Sequence, residues 1–325
     1  RMFFAYGGSF ISLFLWEPLT DWIVGTPVGL HEGYNSPVGW FWAMVVIASA
    51  CFIMFIICFL ITREHLKTVS TVSVGSDFKA LLSNKPWWLL IGAALCFNLF
   101  NTVRGATVAY FFQDIIEADV SLGIFGLTFA FYAGLFLGVG EVSNMVGVAS
   151  CVPISNQLGK KTTFILVNLS LVVLSVMFYF IPCTPTGYWT MLVFQVLISI
   201  LTGIMSPLVW SMYADVSDYA ELEFKTASTG LIFSSSSMAQ KFGGAIGGAA
   251  VLWLLSGFGY VTDLTQLKAG VSQPAEALQC LRWLMSFIPA MVALVSVLIV
   301  WFYPLTTERI NYINTELKKI RSIEE

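Results

Sequence analysis

Residues 231–255 read LIFSSSSMAQKFGGAIGGAAVLWLL. The run is apolar or small almost throughout, and a bilayer-crossing helix needs about 20 such residues. Yet it holds Lys241 near its middle. A soluble helix would turn that lysine toward water on a polar face, and this stretch has none. Lys241 stands about 12 residues into the helix, roughly 18 Å at 1.5 Å per residue, so it lies close to the midplane. At helical spacing Ser234, Ser237, Lys241, Gly244 and Gly248 share one face, with Gln240 beside it. A polar, small-residue stripe through an apolar helix reads as a cavity wall. A lysine locked to an intramembrane carboxylate is the alternative.

The rest of the chain agrees with a bilayer setting. Of 325 residues, 57% are apolar and 11% charged, against about 25% charged in soluble domains. The mean hydropathy is +0.81. Eight segments are apolar enough to span: 3–24, 38–62, 86–112, 124–152, 163–182, 188–213, 229–256 and 280–304. The expected fold class is therefore an all-α membrane protein with eight transmembrane helices. Arg63, Lys67, Lys79 and Lys85 lie between the second and third segments, and Lys160 and Lys161 between the fourth and fifth. Lys225 follows the sixth; Arg309, Lys318, Lys319 and Arg321 follow the eighth. The opposite loops 25–37, 113–123 and 183–187 carry no Lys or Arg, while Lys268 and Arg282 fall in and just after 257–279. By the positive-inside rule the charged loops are cytoplasmic and both ends of the chain face inward.

Three further ionisable residues fall inside spans, where such groups usually face a partner or a water-filled cavity. Arg104 shares a face with Asn98, Asn101 and Gly105, a combination that suits hydroxyl-rich ligands or interhelical hydrogen bonds equally. Glu141, with Asn144 one turn away, is the nearest counter-charge for Arg104 or Lys241. Glu17, before Pro18, is cavity-facing or interfacial. Asp215, Asp218, Glu221 and Glu223 gather at the inner end of the sixth span, where with Lys160 and Lys161 they form either an inner gate or ordinary solvated loop charge. Gly243/Gly247 and Gly244/Gly248 are two small-xxx-small pairs that mark a close helix crossing.

Catalysis has little to stand on. No membrane histidine, nucleophile elbow or zinc spacing occurs, so no enzyme, cofactor or protein-bound metal is expected. Nothing suggests nucleic acid. Of six cysteines, Cys183 and Cys280 both fall near the outer face and are the one pair in a position to join. The polar stretch 63–85 divides the chain into residues 1–62, two helices, and residues 86–305, six helices. Residues 306–325 form a charged, partly helical cytoplasmic tail. This unequal division, with Arg1 rather than Met at the start, reads as a larger six-plus-six carrier cut partway through its first bundle.

The stretch WSMYADVSDYAELEFKTASTGLIFSSSSMAQKFGGAIGGA, residues 210–249, resembles the glycoside–pentoside–hexuronide:cation symporters. These form the melibiose-permease family within the major facilitator superfamily. SDFKALLSNKPW, NQLGKKTTF and YPLTTERINYINTELKK extend the resemblance along the whole chain in family order. It implies the major facilitator fold, with this chain similar to helices V–XII and lacking the first four. Lys241 is then similar to the lysine that the family places at its sugar and cation sites, Ser237 to a sugar-facing hydroxyl residue, and Tyr6 to a sugar-facing position. Arg1 lies one residue from the place of the family's helix-V arginine. The implied function is symport of a sugar, glycoside or uronide with Na⁺ or H⁺ across a bacterial inner membrane, by a carrier that works as a monomer among membrane lipids. A lysolipid or amphiphile carrier and a transport-dead membrane sensor are the alternatives.

Overall fold

The computed structural model describes residues 2–25, 37–62, 74–116, 122–124, 127–129, 132–225, 229–262 and 272–324. Its long elements are α1 (Met2–Val24), α2 (Pro37–Ile61), α4 (Lys85–Phe111), α5 (Tyr132–Leu158), α6 (Lys160–Phe178), α7 (Pro185–Phe224) and α8 (Thr229–Gly257). A short α3 (Val74–Ser83) precedes α4, and α9 (Ala275–Met285), α10 (Phe287–Trp301) and α11 (Thr307–Glu324) close the chain. A π-helical turn, Phe112–Ile116, extends α4. Strands β1 (Leu122–Ile124) and β2 (Leu127–Phe129) form a short antiparallel ladder with Leu122 opposite Phe129.

The helix starts follow from local chemistry. Asn84 caps α4 by accepting the Trp87 N–H through Oδ1 at 3.1 Å, with Pro86 in the first turn. Thr184 caps α7 by accepting the Gly187 N–H at 3.1 Å, with Pro185 next in line. A proline there loses nothing, because the first N–H groups of a helix have no intrahelical acceptor.

Among the described residues, seven helices or helix pairs are long and apolar enough to cross a membrane, the last being α9 with α10. This is a multi-pass membrane protein. α1, a 23-residue helix, is not among those seven. Several expected boundaries move. The fourth segment starts at Tyr132 rather than 124, because residues 122–124 and 127–129 pair as strands. The sixth does not stop at 213: α7 continues to Phe224 and spans 40 residues, about 60 Å. The eighth begins at Ala275 and breaks at Ser286. Within the expected polar connection 63–85, residues 74–83 are helical and bury Leu81. The tail is helical through α11.

α5 packs most extensively on α7; α4 lies between α8 and α10; α10 also packs on α6; and α1 packs on α5 and α2. The α5–α7 crossing brings backbone against backbone. A Cβ at Gly147 would overlap the carbonyl oxygen of Ile200, and one at Gly203 the carbonyl oxygen of Asn144. Only glycine allows that approach. α2 is exposed along nearly its whole length, Phe55 and Phe59 included. That surface suits acyl chains, since a bilayer is itself an apolar solvent for such side chains.

Two apolar clusters form the core. One is centred on Leu90, Phe164, Leu171 and Tyr213. The other holds Phe111, Phe136, Phe178 and Tyr188. The cavity described next borders both.

Candidate functional site

A cavity of about 410 Å³ opens where the two clusters meet, walled by Phe97, Phe100 and Ile198 of the first and by Val108 of α4 and Leu137 of α5 beside the second. That volume falls in the ~300–1,000 Å³ range of small-molecule sites. Its polar lining is supplied helix by helix: Tyr6 from α1, Asn98, Asn101 and Arg104 from α4, Glu141 and Asn144 from α5, and Gln240 from α8. α7 adds Gln195, Ser199, Thr202 and Ser206, with Trp210 at one end.

The amides of α4 are pre-oriented. Asn98 and Asn101 each donate through Nδ2 to the carbonyl one turn back, of Ala94 at 2.8 Å and of Phe97 at 3.0 Å. Each side chain is held against its own helix while its Oδ1 remains available as an acceptor. Opposite, Thr202 Oγ1 donates to Asn144 Oδ1 at 2.9 Å, which leaves the Asn144 amide hydrogens directed elsewhere; its side chain reaches Glu141. The Ser206 hydroxyl donates to the Met2 sulfur at 3.1 Å and is reached by the Tyr6 side chain.

Arg104 is 5% exposed, and among the described residues no carboxylate pairs with it. Its Nη1 donates to the Met285 carbonyl at 2.6 Å, its Nη2 to Gln195 Oε1 at 3.0 Å, and its guanidinium lies 5.2 Å from the centre of the Phe178 ring. The Met285 carbonyl is available for a specific reason. Its helical donor would be the N–H of residue 289, and residue 289 is a proline. The break at Ser286 and the arginine that fills it are one device, tying α4 to α7 and α9. Glu141 is therefore not the counter-charge of Arg104.

Nor does it serve Lys241. Lys241 and Ser237 are exposed on α8 and do not line the cavity. The expected stripe exists, but it faces outward from what this chain encloses. The register is set by Gly243 and Gly247, whose missing side chains let α8 close on α4: a Cβ there would sit 2.9 Å from the Cβ atoms of Asn98 and Thr102 respectively. With that face pinned to α4, Gln240 turns to the cavity and Lys241, one residue or about 100° further on, does not. Of the two glycine pairs, 243/247 makes the crossing; Gly248 has open space around it. The hydroxyls of Ser234 to Ser237 all donate to carbonyls three or four residues back, and Ser235 also accepts the Trp87 indole N–H.

The expected gate residues are engaged within the last six helices. Lys160 Nζ pairs with both Asp215 carboxylate oxygens at 2.7 Å, joining α6 to α7. Lys161 Nζ donates to the carbonyls of Trp301 and Tyr303 at the end of α10, at 2.9 and 2.7 Å. Asp218 and Glu221 follow along α7. Beside the Lys160 pair, burial first and the Asp215 charge second hold the Tyr303 phenol well above its ordinary pKa. Arg1 and the side chain of Glu17 lie outside the described residues. Cys183 and Cys280 are both free thiols, and among the described residues no group of three His, Cys, Asp or Glu is placed to hold a metal.

The α7 wall was missed at the sequence level, although Gln195, Ser199, Thr202 and Ser206 recur at helical spacing. Each is uncharged and isolated among apolar neighbours, so none stood out singly.

The profile of the family described as MFS/sugar transport protein matches residues 1–307. Among curated proteins, the inner membrane symporter YicJ of Escherichia coli is 28% identical over 98% of this chain and 64% of its own length. The putative glycoside/cation symporter YagG of the same organism is 26% identical over 99% of this chain and 65% of its own length. The isoprimeverose transporter of Lactiplantibacillus pentosus is 26% identical over 83% of this chain and 53% of its length. The chain thus spans about two-thirds or less of the length of these relatives. A crystal structure of the E. coli fucose:proton symporter FucP superposes with a TM-score of 0.54 at 17% identity, covering 94% of this chain and 67% of that one. It supports the all-helical major facilitator fold. The relatives are transporters, not enzymes, and this chain belongs to the family of MFS/sugar transport proteins.

Proposed function

We propose that the chain is the larger part of a secondary carrier that takes up a sugar, glycoside or uronide together with Na⁺ or H⁺ by alternating access. The observation that carries this reading is the cavity lining. Amides from four helices, hydroxyls from α7 and the buried Arg104 converge on one space of ligand size. A polyol offers many donors and acceptors in a small volume, and such a wall matches both kinds.

In this reading α1 and α2 belong to the first bundle and correspond to the fifth and sixth of twelve helices, four others preceding them. Lys241 and Ser237 then face those helices, and the lysine meets the sugar or the ion-site carboxylates there. The coupling ion binds partly on the same missing helices. The carrier lies in the bacterial inner membrane with both ends of this chain cytoplasmic, and Asp215, Asp218, Glu221, Lys160 and Lys161 contribute to closure on that side.

The test is uptake of radiolabelled glycosides into membrane vesicles that carry the full-length protein, with and without a Na⁺ or pH gradient. Gradient-dependent accumulation that falls on Asn98→Ala/Asn101→Ala supports the proposal. Uptake that ignores both substitutions would show the cavity is not the route.

A further inference from the structure

Glu141 is the one charged side chain of the cavity that the architecture does not explain. Arg104 is absorbed by the helix break at Ser286, as described above. The Oε2 atom of Glu141 is shut off from solvent, and no donor among the described residues reaches it. Ser9 and Asn144 approach the carboxyl group. Ser9 belongs to α1 and Glu141 to α5, so the carboxyl sits at the seam where the first two helices meet the last six.

We propose that Glu141 binds the coupling proton and that its protonation is linked to closure of the α1–α5 seam. A carboxylate oxygen walled in without a donor is costly, because it has lost water and gained nothing. A proton removes that charge and needs no room, whereas Na⁺ needs several oxygens around it. The titratable or charged groups that face this space from neighbouring helices are Tyr6 on α1 and Arg104 on α4. α7 presents only uncharged groups there, Gln195, Ser199, Thr202 and Ser206. The carboxylate takes a proton from water in the open cavity, the seam closes over the neutral acid, and reopening on the other side returns the proton to water.

The linkage to transport rests on the carrier reading; the proton site does not, and the two are tested separately. First, infrared spectra of this chain in lipid bilayers, wild type against Glu141→Gln, should show a protonated-carboxyl band that shifts in D₂O and vanishes in the variant. Identical spectra would overturn the proton site. Glutamine is the neutral isostere of the protonated acid, so a Glu141→Gln chain that fails to fold where the wild type folds would overturn it as well. Second, in vesicles with the full-length protein, a pH gradient of about one unit drives about tenfold accumulation per coupled proton. Glu141→Gln should abolish that accumulation. Accumulation at the wild-type level would overturn the coupling role. A carboxyl band in a protein that transports no glycoside would sink the carrier reading and leave the proton site standing.

Discussion

Arg104 and Lys241 are both cations inside membrane-spanning helices, and the protein treats them oppositely. Arg104 is enclosed, with a carbonyl, an amide oxygen and an aromatic ring arranged around it. Lys241 is exposed, and no described residue bonds to it. An arginine's planar, delocalised charge suits the first situation, since several donors can be satisfied at once by neutral acceptors. A lysine's compact, strongly hydrated charge suits the second, where water or a partner beyond these helices receives it. The difference teaches that an intramembrane charge is not by itself a sign of a binding site. What matters is whether the fold has already matched it.

The largest effect that would break this contrast is on Arg104. Arg104→Ala leaves the Met285 carbonyl and Gln195 Oε1 without their donor, and should lower the stability of the purified chain in detergent by about 3 kcal/mol. An unchanged unfolding midpoint would show that the arginine is not built into the bundle. Next comes the face of α8 opposite Lys241. Gly247→Leu pushes a side chain into Thr102 and should cost about 2 kcal/mol, while Gly248→Leu, directed into open space, should be nearly neutral in the same measurement. Equal costs would mean that α8 is rotated from the register described here. A smaller effect sharpens the account of the helix break. Pro289→Ala gives the Met285 carbonyl a helical donor, so Arg104→Ala on that background should be less damaging by about 1 kcal/mol in a double-mutant cycle. Full additivity would separate the two features. Smallest of all, Lys241→Ala should leave the stability of this chain within about 0.5 kcal/mol of wild type, and a larger loss would reveal a partner inside the chain.

The fold was legible to the extent that local chemistry determines it. Asn84 with Pro86 and Thr184 with Pro185 announce helix starts, and the apolar lengths place the spans. Boundaries failed where the signal was continuous in composition but not in backbone. Residues 280–304 are apolar apart from Arg282, Ser286 and Ser296, yet Pro289 interrupts the hydrogen-bond ladder and the helix breaks at Ser286. At the Phe224 end of α7 the error ran the other way. Charge suggested a loop after 213, but the helix continues past the membrane, where charged residues are no obstacle.

The site was half legible. Tyr6, Asn98, Asn101, Arg104, Glu141 and Gln240 do meet around one cavity. Lys241 and Ser237 share a helical face with one another but not with that cavity, because periodicity fixes which residues travel together and not which way their face points. That direction is a tertiary fact, decided here by two glycines against α4. Which of two acidic or basic groups will find a partner is likewise set by neighbours distant in sequence, such as the carbonyl freed by Pro289.

The length of α7 has a mechanical consequence. Its backbone-to-backbone crossing with α5, at Ile200 and Gly203, divides the rod into two arms, residues 185–203 and 203–224, of about 27 Å and 32 Å. Pro207, one turn beyond, removes a rung from the same region. A rod pinned at its middle behaves as a balanced lever. By the same helical dimensions, a tilt of about 10° about that fulcrum would carry the two tips some 5 Å in opposite directions. The end bearing Asp215, which Lys160 grips, would swing one way while the Thr184 cap swung the other.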